Sequence, residues 1–461
     1  MAEPAATLLD VAARAPAAAA LVAGALSTDE RKALRLAHPA LHDAVAEVVV
    51  KLKLTKSGSR APRSEVPLTR LPTPRRWHAL RELELPGPEL LIECLRALGA
   101  EPWPRLQALQ VGDVAIDIGF VMSDDDRFGM PATRALAAAA PRLPALAKLV
   151  ILGFALSAAE LAELFSVEWR ALECLDLEVE PDNEDNEDEA EAGGAEPAAG
   201  RALQPRLRDL TMFSTPFLPP AMARWAATRG WPLEGLSFDF KDSESLAALV
   251  AAPTFALRRL QACGHVDETD ILALAAAPWP LEDLRIQMFH RYDGDRHALA
   301  ALARHARLRS LYVGFDGESS AAVRALAGAA WPELTSFSVE VEHGSRTDLD
   351  TDSDEDGEPL DGAAFALCPK LEVLHLSGVE VRAAGAIALA RRPLPRLRDL
   401  SLRNALLDNL AVAGLLLGPM LAWPALVRLN FQSNPGILAP PALADVQRWA
   451  PAVTSLEFGQ E

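Results

Sequence analysis

Residues 423–431 read WPALVRLNF, and the phrase recurs along the chain. It reads WPRLQALQV at 103–111 and LPRLRDLSL at 394–402. Each copy has Trp or another apolar residue before Pro, then two apolar positions three apart, then a third two further on. The last two flank a polar residue, and that alternation of period two marks a strand with one buried side. Fourteen copies align on their central apolar residues: Leu83, Leu109, Leu149, Leu175, Leu210, Leu236, Leu260, Leu284, Leu311, Phe337, Leu374, Leu400, Leu429 and Leu456. Most steps span 24 to 29 residues, and the steps of 40, 35 and 37 each carry a visible insertion.

Between the phrases lie stretches such as GPELLIECLRALGA (87–100) and DRHALAALARHAR (295–307). Their apolar residues recur at three and four and they are rich in Ala and Leu, which predicts helices. Asp267, Ser243 and Asp295 are expected N-caps. Proline after each helix stops it, because proline cannot continue the hydrogen-bond ladder. One short strand and one helix per unit of about 26 residues, repeated, predicts an α/β solenoid. In it each unit buries its core only against its neighbours, with the helices outside and a parallel sheet on the inner, concave face.

The pattern resembles the leucine-rich-repeat family, whose phrase is LxxLxLxxN. Leu426, Leu429, Phe431 and Asn434 match it in full, and the resemblance covers residues 77–461. The family's asparagine bonds backbone groups between neighbouring turns. Here Val114, Phe154, Thr215, Lys241, His265, Phe289, Asp316, Val379 or Ala405 stands at that position in other copies, and only Asn434 conforms. The resemblance therefore points to the longer, helix-containing subclass like that of ribonuclease inhibitor. It implies a curved solenoid of about fourteen strand–helix units. The Trp before the strand (Trp77, Trp103, Trp169, Trp231, Trp279, Trp331, Trp423) is expected to pack between helix and sheet.

Residues 1–54 lie outside the repeats and read as helices, and 55–76 as a linker. Insertions in the 77–461 solenoid fall at 112–142, 178–200 and 342–362. The N-terminal segment resembles a degenerate F-box, the helical module that docks on the Skp-type adaptor of cullin ubiquitin ligases. The matching positions are Leu26, Arg31, Leu34, Leu36, Leu41 and Val45. No Leu-Pro opens the segment, and Leu41 stands where the family often has Trp. A helical cap over the open edge of the first repeat accounts for the same amphipathic stripe.

The 461 residues carry a formal charge of −19, nearly all of it in two runs: nine acids at 178–191 and eight at 348–361. The rest of the chain is close to neutral, so neither direct nucleic-acid binding nor a general anionic surface is expected. Both runs follow a strand directly and are expected on one rim of the solenoid, where they either steer a basic partner or serve only as solubilising insertions. Asp352, Asp354 and Asp356 with Gly357 match the first half of a calcium loop, but Ala363 stands where the bidentate Glu belongs, so a solvated acidic loop is the reading. Cys94, Cys174, Cys263 and Cys368 are 80 or more residues apart, which predicts four small buried thiols in a reducing compartment. No apolar run is long enough to span a membrane. The expected compartment is the cytoplasm, with nucleus and cilium as alternatives.

The polar positions inside the strand phrases are expected to line the concave face: Glu84, Gln110, Val150, Asp176, Thr211, Ser237, Gln261, Arg285, Tyr312, Ser338, His375, Ser401, Asn430 and Glu457. Aromatic and Arg side chains anchor interfaces, which selects Arg285 and Tyr312 with Phe213 and Arg259; His375 and Asn430, from the same row, complete the expected partner-binding set. No HExxH, P-loop, GxSxG or glycine-rich phosphate cradle occurs, and no cofactor is expected. The sequence thus points to a non-enzymatic scaffold holding a protein partner on its concave face, with substrate receptor of a cullin-type ligase as the narrower form. The alternative is a structural subunit of a larger assembly, ciliary or ribonucleoprotein, with the N-terminal helices acting only as a cap.

Overall fold

The computed structural model describes residues 51–53, 80–98, 101–112, 128–179, 204–213, 231–240, 249–250, 256–264, 266–288, 296–316, 320–342, 365, 367–417, 423–438 and 440–459. They fall in two compact units, Met1–Thr215 and Pro216–Glu461.

In the first unit the strands are β1 (Lys51–Lys53), β2 (Glu82–Leu85), β3 (Ala108–Val111), β4 (Lys148–Leu156), β5 (Cys174–Val179) and β6 (Asp209–Phe213). Each pairs in parallel with the next. Helices α1 (Pro88–Leu98), α2 (Met130–Ala139) and α3 (Ala158–Leu164) lie between them in sequence.

The second unit continues the pattern with β7 (Gly235–Phe240), β8 (Arg259–Gly264), β9 (Asp283–Met288), β10 (Ser310–Asp316), β11 (Ser336–Glu342), β12 (Val373–Ser377), β13 (Asp399–Ser401), β14 (Arg428–Asn430) and β15 (Ser455–Glu457). These too are parallel, each to the next. Its helices are α4 (Glu268–Ala276), α5 (Arg296–Ala301), α6 (Ser320–Gly328), α7 (Arg382–Ala390), α8 (Asn409–Leu417) and α9 (Leu443–Trp449). Within each unit a helix about 10 Å wide backs strands ~4.8 Å apart, which favours strands on the inner side of a bend. This is the leucine-rich-repeat architecture that the phrase implied.

The register is the one the phrase predicts. Within each unit the central apolar residue of one strand faces that of the next, Leu83 to Leu109 in the first and Leu400 to Leu429 in the second. From Leu83 to Leu429 none of them is more than 4% exposed, so the column is the core. At strand entry one carbonyl accepts two amides of the next strand: Arg258 O takes Glu282 N–H (2.7 Å) and Asp283 N–H (2.9 Å). Glu282 O does the same for Arg309 N–H (2.8 Å) and Ser310 N–H (3.0 Å). Asp267 is an N-cap as expected, exchanging hydrogen bonds with Asp270 at the start of α4. Ser157 does the same for α3 with Glu160. Ser243 and Asp295 lie outside the described residues.

The tryptophans do more than fill space. Trp331 Nε1 donates to Leu326 O (2.8 Å) and Trp169 Nε1 to Leu164 O (3.0 Å), each closing the C-terminal turn of the preceding helix. Those carbonyls have no partner inside the helix. Two other copies fill the same place, six residues before the central apolar residue, with buried polar groups. Gln204 accepts from Trp169 N–H (3.2 Å) and donates to Val167 O (3.0 Å), and His305 Nε2 lies 2.9 Å from Leu274 O. Trp103 and Trp279 Nε1 are buried without an acceptor among the described residues. Trp77 is outside them. Trp331→Phe and Trp279→Phe remove similar volume, but only the first breaks a hydrogen bond. Denaturant melts should show Trp331→Phe costing about 1 kcal/mol more; equal losses would show that the indole cap contributes nothing.

Several expectations are corrected. Lys51–Lys53 form a strand paired with β2, so the last residues of the 1–54 segment are not helical. The 112–142 insertion contains the repeat's own helix α2 and the 3-10 turn Ala140–Arg142. Glu178 and Val179 belong to β5 rather than to the acidic insertion, and Glu178 is buried, its carboxylate accepting Gly153 N–H where β4 leaves register. Glu342 likewise ends β11. Cys94 and Cys368 are buried, their thiols pushed up to about 12 by burial, with Glu93 adding to the effect at Cys94. Cys368 lies outside any helix. Cys174 and Cys263 are only half-buried and sit on the sheet face away from the core, where they bond Asp176 and Gln261. Burial first, then Asp176, raises Cys174 to about 11.

Candidate protein-interaction face

Alternation along each strand sends the residues beside the core column to the opposite, open face. In the second unit the predicted row is a true register row. Ser237, Gln261, Arg285 and Tyr312 are successive partners on β7 to β10. Ser338, His375, Ser401, Asn430 and Glu457 continue it to β15. Arg285 is exposed, and Tyr312, His375 and Asn430 are half-buried. Arg259 opens β8 two residues before Gln261, on the same face, where it is exposed beside Asp283. Phe213 belongs to the first unit, at the end of β6 opposite Glu178. The structure thus joins Arg285 to Tyr312 directly and sets His375 and Asn430 two strands apart.

Tyr312 is fixed by a feature that the sequence reading did not single out. The next open-face row runs Gln287, Gly314, Glu340 across β9 to β11. Gly314 leaves a gap between two longer side chains, and a Cβ there would lie 2.0 Å from Gln287 Oε1. The Tyr312 hydroxyl reaches along its own strand to this gap, 3.0 Å from Gln287 Oε1 and 2.9 Å from Glu340 Oε2. A phenol has one proton to donate. Donation to the Glu340 carboxylate, with the Gln287 amide turned to offer N–H, satisfies all three groups. Extending the alternation by one more step in sequence would have found Gln287 and Glu340.

His375 and Asn430 are also held. His375 Nε2 lies 3.3 Å from Asp399 Oδ1, and Arg428 Nε lies 3.1 Å from Asp399 Oδ2. Asn430 Oδ1 accepts Gln432 N–H (2.8 Å), which ties its amide to the strand exit. The sheet entry is lined by Glu282, flanked by Arg258 at 3.3 Å and Arg309 at 4.0 Å. These exposed pairs set the rim's charge pattern and add little stability. Nearby, Lys370 bonds both Glu333 oxygens (2.7 and 2.6 Å), which holds that carboxyl below the usual range.

The expected adaptor-binding positions Leu26, Leu34, Leu36, Leu41 and Val45 lie outside the described residues, as do Asp352, Asp354 and Asp356. Among the described residues no group of three or more His, Cys, Asp or Glu side chains is placed to hold a metal, and no helix is long and apolar enough to cross a membrane.

No family model and no curated protein matches the sequence. Among solved structures, an internalin from Listeria monocytogenes is similar at 14% identity and a TM-score of 0.39, over 84% of this chain and 88% of that one. Rad7 in complex with Elc1 from yeast is similar at 15% identity and 0.36, over 82% and 74%. The leucine-rich-repeat ectodomain of a membrane receptor kinase from Arabidopsis thaliana is similar at 10% identity and 0.29, over 90% and 51%. The fold assignment rests on the strand register of this chain itself.

Proposed function

We propose that this chain is a protein-interaction scaffold without catalytic turnover, with a protein partner seated on the open face of β7 to β15. The observation that carries the reading is the unbroken register row from Ser237 to Glu457. It spans nine strands with a mixed set of residues in no regular order, around a Tyr312 whose hydroxyl is tied on both sides. A rigid aromatic inside a varied polar surface suits one shaped partner, because little side-chain entropy is lost on binding. Arg259, Arg285, Tyr312, His375 and Asn430 are the proposed contacts, with Phe213 the proposed contact of the first unit. A photo-crosslinking residue at Ser338, on this face, is expected to trap a protein partner in native extract. The same group at Ala321, exposed on α6, is expected to trap none; an adduct from position 321 alone would place binding on the helices instead.

The narrower reading makes the scaffold a substrate receptor of a cullin-type ubiquitin ligase in the cytoplasm. Its support is the stripe of Leu26, Leu34, Leu36, Leu41 and Val45. Deleting residues 1–54 would then release a co-purifying Skp-type adaptor while the partner crosslinked at 338 stays bound. If no adaptor accompanies the intact chain, the broader scaffold reading stands alone and the segment acts as a cap.

A further inference from the structure

On the open face of β8 to β11 the exposed bases lie on β8 and β9 and the acids on β10 and β11, except that Asp283 on β9 sits beside Arg259 at strand entry. Arg259 and Arg285 project from β8 and β9. Glu340 lies two strands on from β9, one row nearer the strand exits, and the register pair Asp316 and Glu342 lies beyond it. Tyr312 stands between the two signs, directly opposite Arg285 and bonded to Glu340. We infer that this part of the face takes an extended segment of a protein partner in one direction only. An acidic residue of that segment pairs with Arg285, its middle packs on the Tyr312 ring, and a basic residue pairs with Glu340. The inference rests on the proposed reading of this face as the docking surface, and adds to it the partner's chemistry and polarity.

The geometry sets the spacing. Two strand steps across and two residues along separate the Arg285 and Glu340 backbones by roughly 12 Å, which an extended chain covers in about three or four residues. Because the phenol hydroxyl is already bonded at both sides, Tyr312 offers the segment its ring and not its donor. The ring flank can take the stem of a Lys or Arg whose charged head goes on to Glu340. Reversing the segment would set like charges at both ends, which is how electrostatic patterns enforce register.

The test is a selection of random phage-displayed dodecapeptides on the full chain, repeated on Arg285→Glu, on Glu340→Lys and on the double variant. Wild type is expected to enrich peptides with Asp or Glu three or four residues from Lys or Arg. Those peptides should bind each single variant about tenfold more weakly. The double variant should enrich the reverse order. Should a charge reversal unfold the chain, as judged by circular dichroism, Arg285→Gln and Glu340→Gln carry the same comparison. Peptides that are lost on Tyr312→Ala but ignore the charge reversals would overturn the polarity and leave the docking face intact. Peptides indifferent to Tyr312→Ala and to every charge variant would overturn both.

Discussion

Asn434→Ala is expected to lower stability by about 3–5 kcal/mol, because one buried side chain serves backbone groups of two successive repeats. Asn434 Oδ1 accepts Ala405 N–H (2.9 Å) and Leu407 N–H (3.0 Å). Its Nδ2 donates to Leu402 O (2.7 Å) and Phe431 O (2.9 Å), with Gln432 O at 3.1 Å. Ala405, Leu407 and Leu402 are fully buried, so alanine strands amides and carbonyls where water does not reach. The same bonds hold an awkward backbone: Asn404, Leu406 and Ser433 have φ of 50°, 53° and 57°, a left-handed conformation that non-glycine residues adopt at a cost. Hydrogen exchange should show the damage as local, with residues 402–437 losing protection and β8 to β10 keeping theirs, since repeats couple mainly to their neighbours. Asn434→Asp keeps the acceptors but loses both donors and turns a carboxylate toward carbonyls, so it should not rescue. A loss under 1 kcal/mol for the alanine variant would mean that water replaces the side chain.

That asparagine also marks how far the sequence could be read. Strand positions and register follow from a period-two pattern anchored by Leu at fixed intervals. A one-residue slip would turn Leu83 or Leu400 to water, which is why the fourteen central residues were legible without a structure. The open-face row followed from the same parity, and Arg285 beside Tyr312 with it. What was hidden depends on side-chain reach rather than period. Nothing in the phrase says that the Tyr312 hydroxyl crosses Gly314 to Glu340, or that Asp399 sits between His375 and Arg428. Gln204 and His305 do not stand out in the sequence because they are polar residues in an apolar column, tolerated there by hydrogen bonds to groups far away in sequence. The three long steps were legible as insertions but their edges were not. Glu178 looks like the first residue of an acidic run and is in fact a buried strand residue closing a bulge.

Phe337→Ala is expected to cost about 3–5 kcal/mol, the range for removing a buried ring from a packed core. Phe337 is the one phenylalanine in a column of leucines, and it is fully buried between Leu311 and Leu374. Its size has a local reason. Among the described residues no helix stands between β11 and β12, and Phe365 fills space on the core side of the sheet there. The two rings meet edge to face, with centroids 5.1 Å apart and planes at 74°. Phe365 is itself in a left-handed conformation, φ 59°, held by its amide to Ala327 O (2.7 Å) and by Cys368 N–H on its carbonyl (3.1 Å). Taking away the Phe337 ring removes the packing that offsets that strain. Phe337→Leu restores the residue found in the other repeats and should still cost about 1 kcal/mol, because leucine fills the column but cannot make the ring contact. Chemical denaturation of both variants separates the effects. If the leucine variant is as stable as wild type, the ring pair contributes nothing beyond burial and Phe337 is only a larger leucine. If it falls as far as alanine, Phe365 depends wholly on its partner, and the segment leading into β12 is held in place by this pair of rings.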